Sequence, residues 1–269
     1  MNLQNQAGVN RLSQLVPEGV AIPAQWLMTQ GYSRQSLNQY KQRGYLQSPA
    51  RGVYALPGMA LSWQGVVLGL QRLASLPVHV GGLTALGLQG KAHYLPLAGE
   101  KWVHLWGSAK LPAWANRCGL QAQLLLHSRV LFAASESLGL VELPTRMRDW
   151  PLTVSGPERA MLECCAELDD SEASFTHAAE LMDGLTTLRP TLLNDLLQHC
   201  QSVKAKRVFL CLAENSAYAW REKIDQNAVD LGAGKRQVVK GGRLDKTWQI
   251  TVPKSFGRAF NAGLGGGFS

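Results

Sequence analysis

The sequence predicts an α+β protein: an N-terminal winged helix-turn-helix followed by a larger mixed α/β C-terminal domain. Residues 33–54 join a polar helix pattern to a hairpin pattern, and residues 78–214 place strand patterns early and helix patterns late. An apolar fraction of 46% supports packed cores, and 269 residues suffice for two domains. We therefore expect a DNA-binding domain over residues 1–60, a mixed α/β domain over 61–262 and a Gly-rich flexible tail over 263–269.

The N-terminal segment predicts three helices. The first covers residues 2–15, and Pro and Gly directly after it disfavour continuation. The second covers residues 23–29, with a proline suited to its first turn. Ser33 is placed to cap a third helix over residues 34–43, because a serine hydroxyl can accept from the first free amides of a helix.

The third helix has two different faces. Leu37 and Tyr40 lie three residues apart and face the core, while Arg34, Asn38 and Lys41 share the opposite face. Arg reads guanine, Asn or Gln reads adenine, and Lys neutralises phosphate, so this face suits the major groove. The residues predicted to contact DNA from this helix and the hairpin after it are Ser33, Arg34, Gln35, Asn38, Gln39, Lys41, Gln42, Arg43, Ser48 and Arg51.

The hairpin predicts the wing of a winged helix-turn-helix. We expect strands at residues 45–46 and 52–56, joined by a tip over residues 48–51. Arg51, near this tip, is the wing residue expected to meet phosphate or the minor groove. The alternative is a polar surface helix beside a hairpin that serves protein contacts.

Charge favours the DNA interpretation. The first 99 residues hold one acidic side chain, Glu18, against seven Lys or Arg. The net charge is +4 over residues 1–60, −3 over 61–199 and +7 over 200–269, within a total of +8. A surface poor in carboxylates suits a polyphosphate, so double-stranded DNA is the first partner to consider. The basic C-terminal part predicts a second anion-binding face or a solvated surface.

The remaining elements follow from periodicity. One amphipathic helix is expected over residues 61–75, and Gly81-Gly82 is interpreted as a tight turn rather than a phosphate cradle. Ser155 is expected to cap a helix with Glu158 near its capping-box position, and Gly241-Gly242 to join two C-terminal strands. The other strands are predicted at 78–80, 101–106, 121–127, 139–142 and 152–154, and the other helices at 157–168, 172–182, 190–200 and 203–214.

No residue pattern requires catalysis. The six histidines lack zinc-site spacing, and Asp169-Asp170 falls in a helix-ending turn. Glu222-Lys223 with Asp225 is the nearest approach to a nuclease centre. The five cysteines are interpreted as reduced thiols of a cytoplasmic protein, and we expect neither signal peptide nor membrane span. The prediction is a non-enzyme without metal or cofactor; a metal-dependent nuclease and a ligand-sensing repressor remain the alternatives.

The order of several segments resembles the AbiEi-type antitoxins and transcriptional regulators. The wing block is RGYL with RGVYALPG, at residues 43–46 and 51–58. The next block is VHVGGLTAL with GKAHYL, at 78–86 and 90–95. The C-terminal block is KRVFL, DLGAGKR and WQITVP, at 206–210, 230–236 and 248–253. The resemblance covers nearly the whole chain, and the order of the motifs is more specific than any one of them.

The resemblance implies a bacterial type IV toxin–antitoxin system tied to phage defence. The N-terminal winged helix would bind operator DNA, as a monomer or homodimer, and repress its own operon. The C-terminal domain would act against a nucleotidyltransferase-like toxin, which antitoxins of this type need not bind stably. The basic positions that this implies for the antitoxin face are Arg207, Lys235, Arg236, Lys240, Arg243 and Lys246.

Overall fold

The computed structural model describes residues 10–91, 101–132 and 136–257. Contacts divide the chain into two compact units: the first contains residues 1–80, 96–129 and 141–154, and the second contains 81–95, 130–140 and 155–269. The predicted mixed α/β architecture is confirmed. The predicted domains, residues 1–60 and 61–262, were defined along the sequence and stay a prediction. The predicted tail, residues 263–269, lies outside the described residues.

The first unit begins with a helical module that carries a small sheet. Leu37 and Tyr40 of its third helix are buried, and the Ser33 hydroxyl accepts from the Ser36 amide at 3.0 Å, as predicted. The sheet is antiparallel, in the order β1-β3-β2. The elements are α1 (residues 10–15), β1 (Ile22–Pro23), α2 (Ala24–Thr29), α3 (Arg34–Gln42), β2 (Gln47–Ala50) and β3 (Val53–Ala55).

The hairpin is placed differently from the prediction. Its first strand begins at Gln47 rather than residue 45, and the turn is Arg51-Gly52 rather than residues 48–51. The φ of Gly52 is +85°, a conformation that favours glycine. The register shifts between Gln47 and Ala50, where Pro49 lacks an amide donor for the ladder. Ser48 therefore lies within strand β2 rather than at the tip, and Arg51 lies in the turn of the hairpin.

Two glycines let the next helix lie directly against backbone. Helix α4 (Trp63–Leu68) continues as a π-helical turn (Gly69–Leu73), which together match the predicted helix over residues 61–75. A Cβ on Gly65 would lie 1.7 Å from the Gly19 carbonyl oxygen, and one on Gly69 would lie 2.1 Å from that of Ala21. The Gly65 carbonyl also accepts from the Ala21 amide at 3.1 Å. Close packing therefore outweighs the poor helix propensity of glycine.

A five-stranded mixed sheet completes the first unit, in the order β6-β5-β4-β8-β7. Strand β5 runs antiparallel to β4 and parallel to β6, and β4 runs parallel to β8. All five predicted strands are present, and their boundaries differ from the predicted ones by at most two residues. They are β4 (Val78–Val80), β5 (Trp102–Gly107), β6 (Gln123–His127), β7 (Leu140–Leu143) and β8 (Leu152–Ser155).

The second unit is mainly helical, and the predicted helices are confirmed. Helix α6 packs against α5, α7, α8 and α9, which explains why most of its residues are buried. The turn predicted at Gly81-Gly82 is shorter than expected, because Gly81 precedes α5 and Gly82 is the first residue of that helix. The elements are α5 (Gly82–Leu88), α6 (Pro157–Glu167), α7 (Glu172–Asp183), α8 (Pro190–His199), α9 (Val203–Glu214), two 3₁₀ turns (Ala219–Lys223 and Gln226–Ala228), β9 (Arg243–Asp245) and β10 (Ile250–Val252).

Two local predictions in this unit are wrong. Gly156 rather than Ser155 precedes α6, and the Ser155 hydroxyl instead donates to the buried Glu163 carboxylate at 2.8 Å. The Glu158 carboxylate bonds the Arg189 guanidinium at 2.9 Å instead of closing a capping box. The C-terminal strands β9 and β10 turn at residues 246–249, not at a Gly-Gly pair. For Ser155 and Glu158, a partner brought close by the fold replaces the expected capping interaction.

Candidate nucleic-acid interface

Helix α3 presents a polar row to solvent. Arg34, Asn38 and Lys41 are exposed, whereas Leu37 and Tyr40 on the opposite face are 1% and 5% exposed. The burial pattern therefore agrees with the two predicted faces. The other predicted DNA-contact residues on this segment are also accessible: Ser33, Gln35, Gln42 and Arg43 are exposed, and Gln39 is half-buried.

Backbone hydrogen bonds tie the hairpin to the end of α3. The Tyr40 carbonyl accepts from the amides of Tyr45 and Leu46, at 2.9 and 3.3 Å. Arg51 is exposed at the turn, and Ser48 is half-buried with its hydroxyl donating to the Ala50 carbonyl at 3.2 Å. These bonds fix the start of the hairpin at the C-terminal end of α3.

A polar cleft of about 350 Å³ opens at the start of α3. Its lining includes Arg11 of α1 together with Gln30, Tyr32, Ser33 and Ser36. Burial raises the pKa of Tyr32, and the positive charge of Arg11 opposes part of that rise. Sequence reasoning missed Arg11, because its place beside α3 depends on how α1 packs more than twenty residues upstream.

Five of the six basic residues predicted for the antitoxin face are exposed, and the sixth, Arg207, is buried. Lys235, Arg236, Lys240 and Lys246 are exposed. Arg243 is exposed as well, and its guanidinium donates to the Phe256 carbonyl at 2.7 Å. These five are the predicted face residues that the structure leaves on the surface.

Arg207 corrects the predicted face, because its side chain is inside the protein. It is 4% exposed and donates to the carbonyls of Leu231, Gly232 and Gly234 at 2.8, 2.8 and 2.5 Å. Burial, and then the charge of Arg236, lower the pKa of Arg207. This guanidinium satisfies loop carbonyls and is not available to a partner at the surface.

The residues nearest to a nuclease centre in the sequence lie at the protein surface. Glu222, Lys223 and Asp225 are exposed on or beside 3₁₀ turns, and the Asp225 carboxylate accepts from the Asn227 amide at 3.2 Å. Over residues 10–91, 101–132 and 136–257, no three His, Cys, Asp or Glu side chains are grouped to hold a metal ion. All five cysteines are free thiols. No helix within these ranges is long and apolar enough to span a bilayer.

The chain is similar in architecture to a solved structure. The crystal structure of the RV2827C protein from Mycobacterium tuberculosis superposes with a TM-score of 0.51 at 18% identity, over 87% of this chain and 86% of that chain. At this identity the likeness concerns the fold alone. A search of curated proteins gave no match.

Two family models cover most of the chain. Residues 5–97 match the model described as "Transcriptional regulator, AbiEi antitoxin N-terminal domain". Residues 100–253 match "Transcriptional regulator, AbiEi antitoxin, Type IV TA system". These matches agree with the order of motifs from the wing to the C-terminal strands. The chain therefore belongs to the AbiEi family of antitoxin transcriptional regulators of type IV toxin–antitoxin systems.

Proposed function

We propose that the N-terminal module is a winged helix-turn-helix that binds operator DNA and represses its own operon. The observation that carries this proposal is the exposed row Arg34, Asn38 and Lys41 on a helix whose other face is buried. A nine-residue helix is about 13 Å long, and its side chains fit the major groove. The hairpin then reaches the flanking backbone through Arg51.

The exposed side chains of α3 and the hairpin differ in their proposed roles on DNA. Arg34 and Asn38 carry donors that can read base edges, while Lys41 and Arg51 neutralise phosphates. Glu18 is the single acid among the first 99 residues, so little carboxylate charge opposes the DNA backbone. Two copies of the module on inverted repeats would extend the sequence that is read.

A binding titration on the chain's own upstream DNA tests this proposal, with random duplex as competitor. Arg34→Ala should weaken specific binding by ~1–3 kcal/mol and relax base preference. Lys41→Ala should weaken binding to all sequences and reduce the salt slope by about 1. Lys223→Ala, an exposed lysine in the second unit, is the matched control. Unchanged binding of the Arg34/Lys41 double variant in ~150 mM salt would contradict the assigned face.

We further propose that the C-terminal part neutralises a nucleotidyltransferase-like toxin, without catalysis of its own, through Lys235, Arg236, Lys240, Arg243 and Lys246. Their exposure and positive charge support a surface role. The test is rescue of cells that express the cognate toxin. Alanine variants of these residues should lose rescue while the protein level and operator binding stay unchanged. Full rescue by a variant lacking all five charges would exclude this face.

A further inference from the structure

One face of the β5–β6 pair carries large planar side chains and is open to solvent at its Trp102 end, whereas Trp106 at the other end is buried. The parallel register sets Trp102 beside Gln123, His104 beside Leu125 and Trp106 beside His127. Because side chains alternate along a strand, these six share one face. Val103, Leu105 and Leu124 point the other way and are buried in the core. Strand β6 lies at the edge of its sheet.

The planar groups on this face are ordered along the strands. Trp102 is 46% exposed and Leu125 is 38% exposed, so two large apolar side chains are exposed on the same sheet face. His104 Nδ1 lies 2.8 Å from His127 Nε2, and the two rings stack with centroids 5.1 Å apart. His127 in turn stacks on Trp106 at 4.7 Å. The exposed indole thus lies at one end of a row of rings.

Positive charge surrounds this face. Residues 101–135 contain four basic residues and no Asp or Glu, although Glu100 and Glu136 flank the segment. The Lys101 ammonium lies 5.9 Å from the Trp102 ring centroid. Lys110 and Arg129 are exposed just after the carboxyl ends of β5 and β6. Cations therefore stand at both ends of the row of rings.

We propose that this sheet face binds single-stranded nucleic acid, with an unpaired base stacked on Trp102 and backbone phosphates held by Lys101, Lys110 and Arg129. Exposed aromatic rings and a basic border are the two components of sequence-tolerant single-strand binding. Trp102 is the exposed ring of the row, whereas Trp106, about 13 Å further along β5, is 3% exposed and is not available for stacking. Leu125 offers apolar contact to a neighbouring base.

The charge decides between a nucleic acid and a protein partner. An apolar protein-docking surface gains nothing general from a border free of acid, whereas a polyphosphate does. The exposed indole also favours a single strand over a duplex, because paired bases are stacked on one another and cannot stack on Trp102. This site lies on β5 and β6 and does not involve the α3 residues proposed for operator DNA.

The test is fluorescence anisotropy with labelled T12 DNA and U12 RNA at ~50 mM and ~150 mM salt. The background protein carries Arg34→Ala and Lys41→Ala, which removes the proposed operator surface. Trp102→Leu should raise Kd at least about fivefold, and Trp102→Phe should raise it less, because phenylalanine keeps a stacking ring. Lys101→Ala should lower the salt slope, whereas Lys223→Ala should leave both Kd and slope unchanged.

Trp102→Leu is informative because leucine keeps the apolar contact and removes the ring. Equal Kd values for Trp102→Leu and its parent would overturn the proposal, as would the absence of saturable binding by the parent at ~50 mM salt. Equal affinity for a duplex of the same length would also overturn it. Trp102 is nearly half exposed, so thermal unfolding of the variants should match that of the parent. If Trp102→Leu unfolds early, Lys101→Glu must weaken binding for the proposal to stand.

Discussion

Replacing Arg207 with Ala should destabilise the C-terminal part of the fold rather than remove a partner contact. The guanidinium donates to carbonyls of Leu231, Gly232 and Gly234, and to that of Gln249 at 3.3 Å. These bonds hold the loop before the β9–β10 hairpin, and one residue on the turn of that hairpin, against helix α9. Alanine would leave the carbonyls without this donor and open a cavity where the side chain lay.

The magnitude follows from the hydrogen bonds. A hydrogen bond to a charged group contributes ~1.5–3 kcal/mol to the free energy of unfolding. Gly232 and Gly234 are exposed, so water can replace the hydrogen bonds that their carbonyls lose in the variant, and this reduces the cost. The Gln249 carbonyl keeps a bond from the Arg236 amide at 2.9 Å. We therefore expect Arg207→Ala to lower the free energy of unfolding by about 3–5 kcal/mol, and Arg207→Lys by about 2 kcal/mol, because lysine lacks the planar fork.

Urea unfolding at neutral pH measures this difference, with Lys235→Ala as a matched control of the same charge change. Lys235 is exposed, so its loss should change the free energy of unfolding by less than about 0.5 kcal/mol. An Arg207→Ala protein as stable as the Lys235→Ala protein would refute the structural role. If the Arg207→Ala protein were that stable and also failed to rescue cells from the toxin, Arg207 would be assigned to the proposed antitoxin face.

Three further predictions concern other parts of the chain. Burial raises the pKa of Glu158, but hydrogen bonds from its arginine partner lower it more, so its folded pKa lies below the ordinary value. Glu158→Gln should therefore cost stability at pH 7, and the difference in urea unfolding should shrink below pH ~4.3; a difference independent of pH would contradict this. Gly65→Ala should destabilise by about 3 kcal/mol or more in thermal or urea unfolding, because its Cβ would meet the Gly19 carbonyl, whereas Gln64→Ala should be nearly neutral. Arg51→Ala should weaken operator binding by a similar factor for all sequences and reduce the salt slope by about 1, and a changed base preference would show a different role.

Local sequence signals predicted the regular elements well. The helix after Ser33 begins where its cap placed it, and periodicity located the five sheet strands and helices α6–α9 to within a few residues. These signals depend on neighbours three or four residues apart in helices and two apart in strands, which the chain itself displays. The family also followed from the order of motifs, and the family models agree with it.

Predictions failed where a local pattern had a distant competitor. Ser155 has the chemistry of a helix cap, yet its hydroxyl donates to Glu163, because that buried carboxylate needs donors from several elements. In the sequence, Arg207 follows two lysines of the same helix, a pattern that is typical of an exposed basic surface. Loop carbonyls more than twenty residues later surround it, and only the folded chain brings them there.

Composition and short-range periodicity were enough to predict the helices and strands, the basic, acid-poor N-terminus and the family, because both can be read from neighbouring residues. Which charges remain at the surface depends on the folded chain. The tertiary structure buried Arg207, brought Arg11 beside the start of α3 and set Trp102 and Leu125 on one open sheet face. Burial and register depend on contacts between segments far apart in sequence, and no local pattern encodes those contacts.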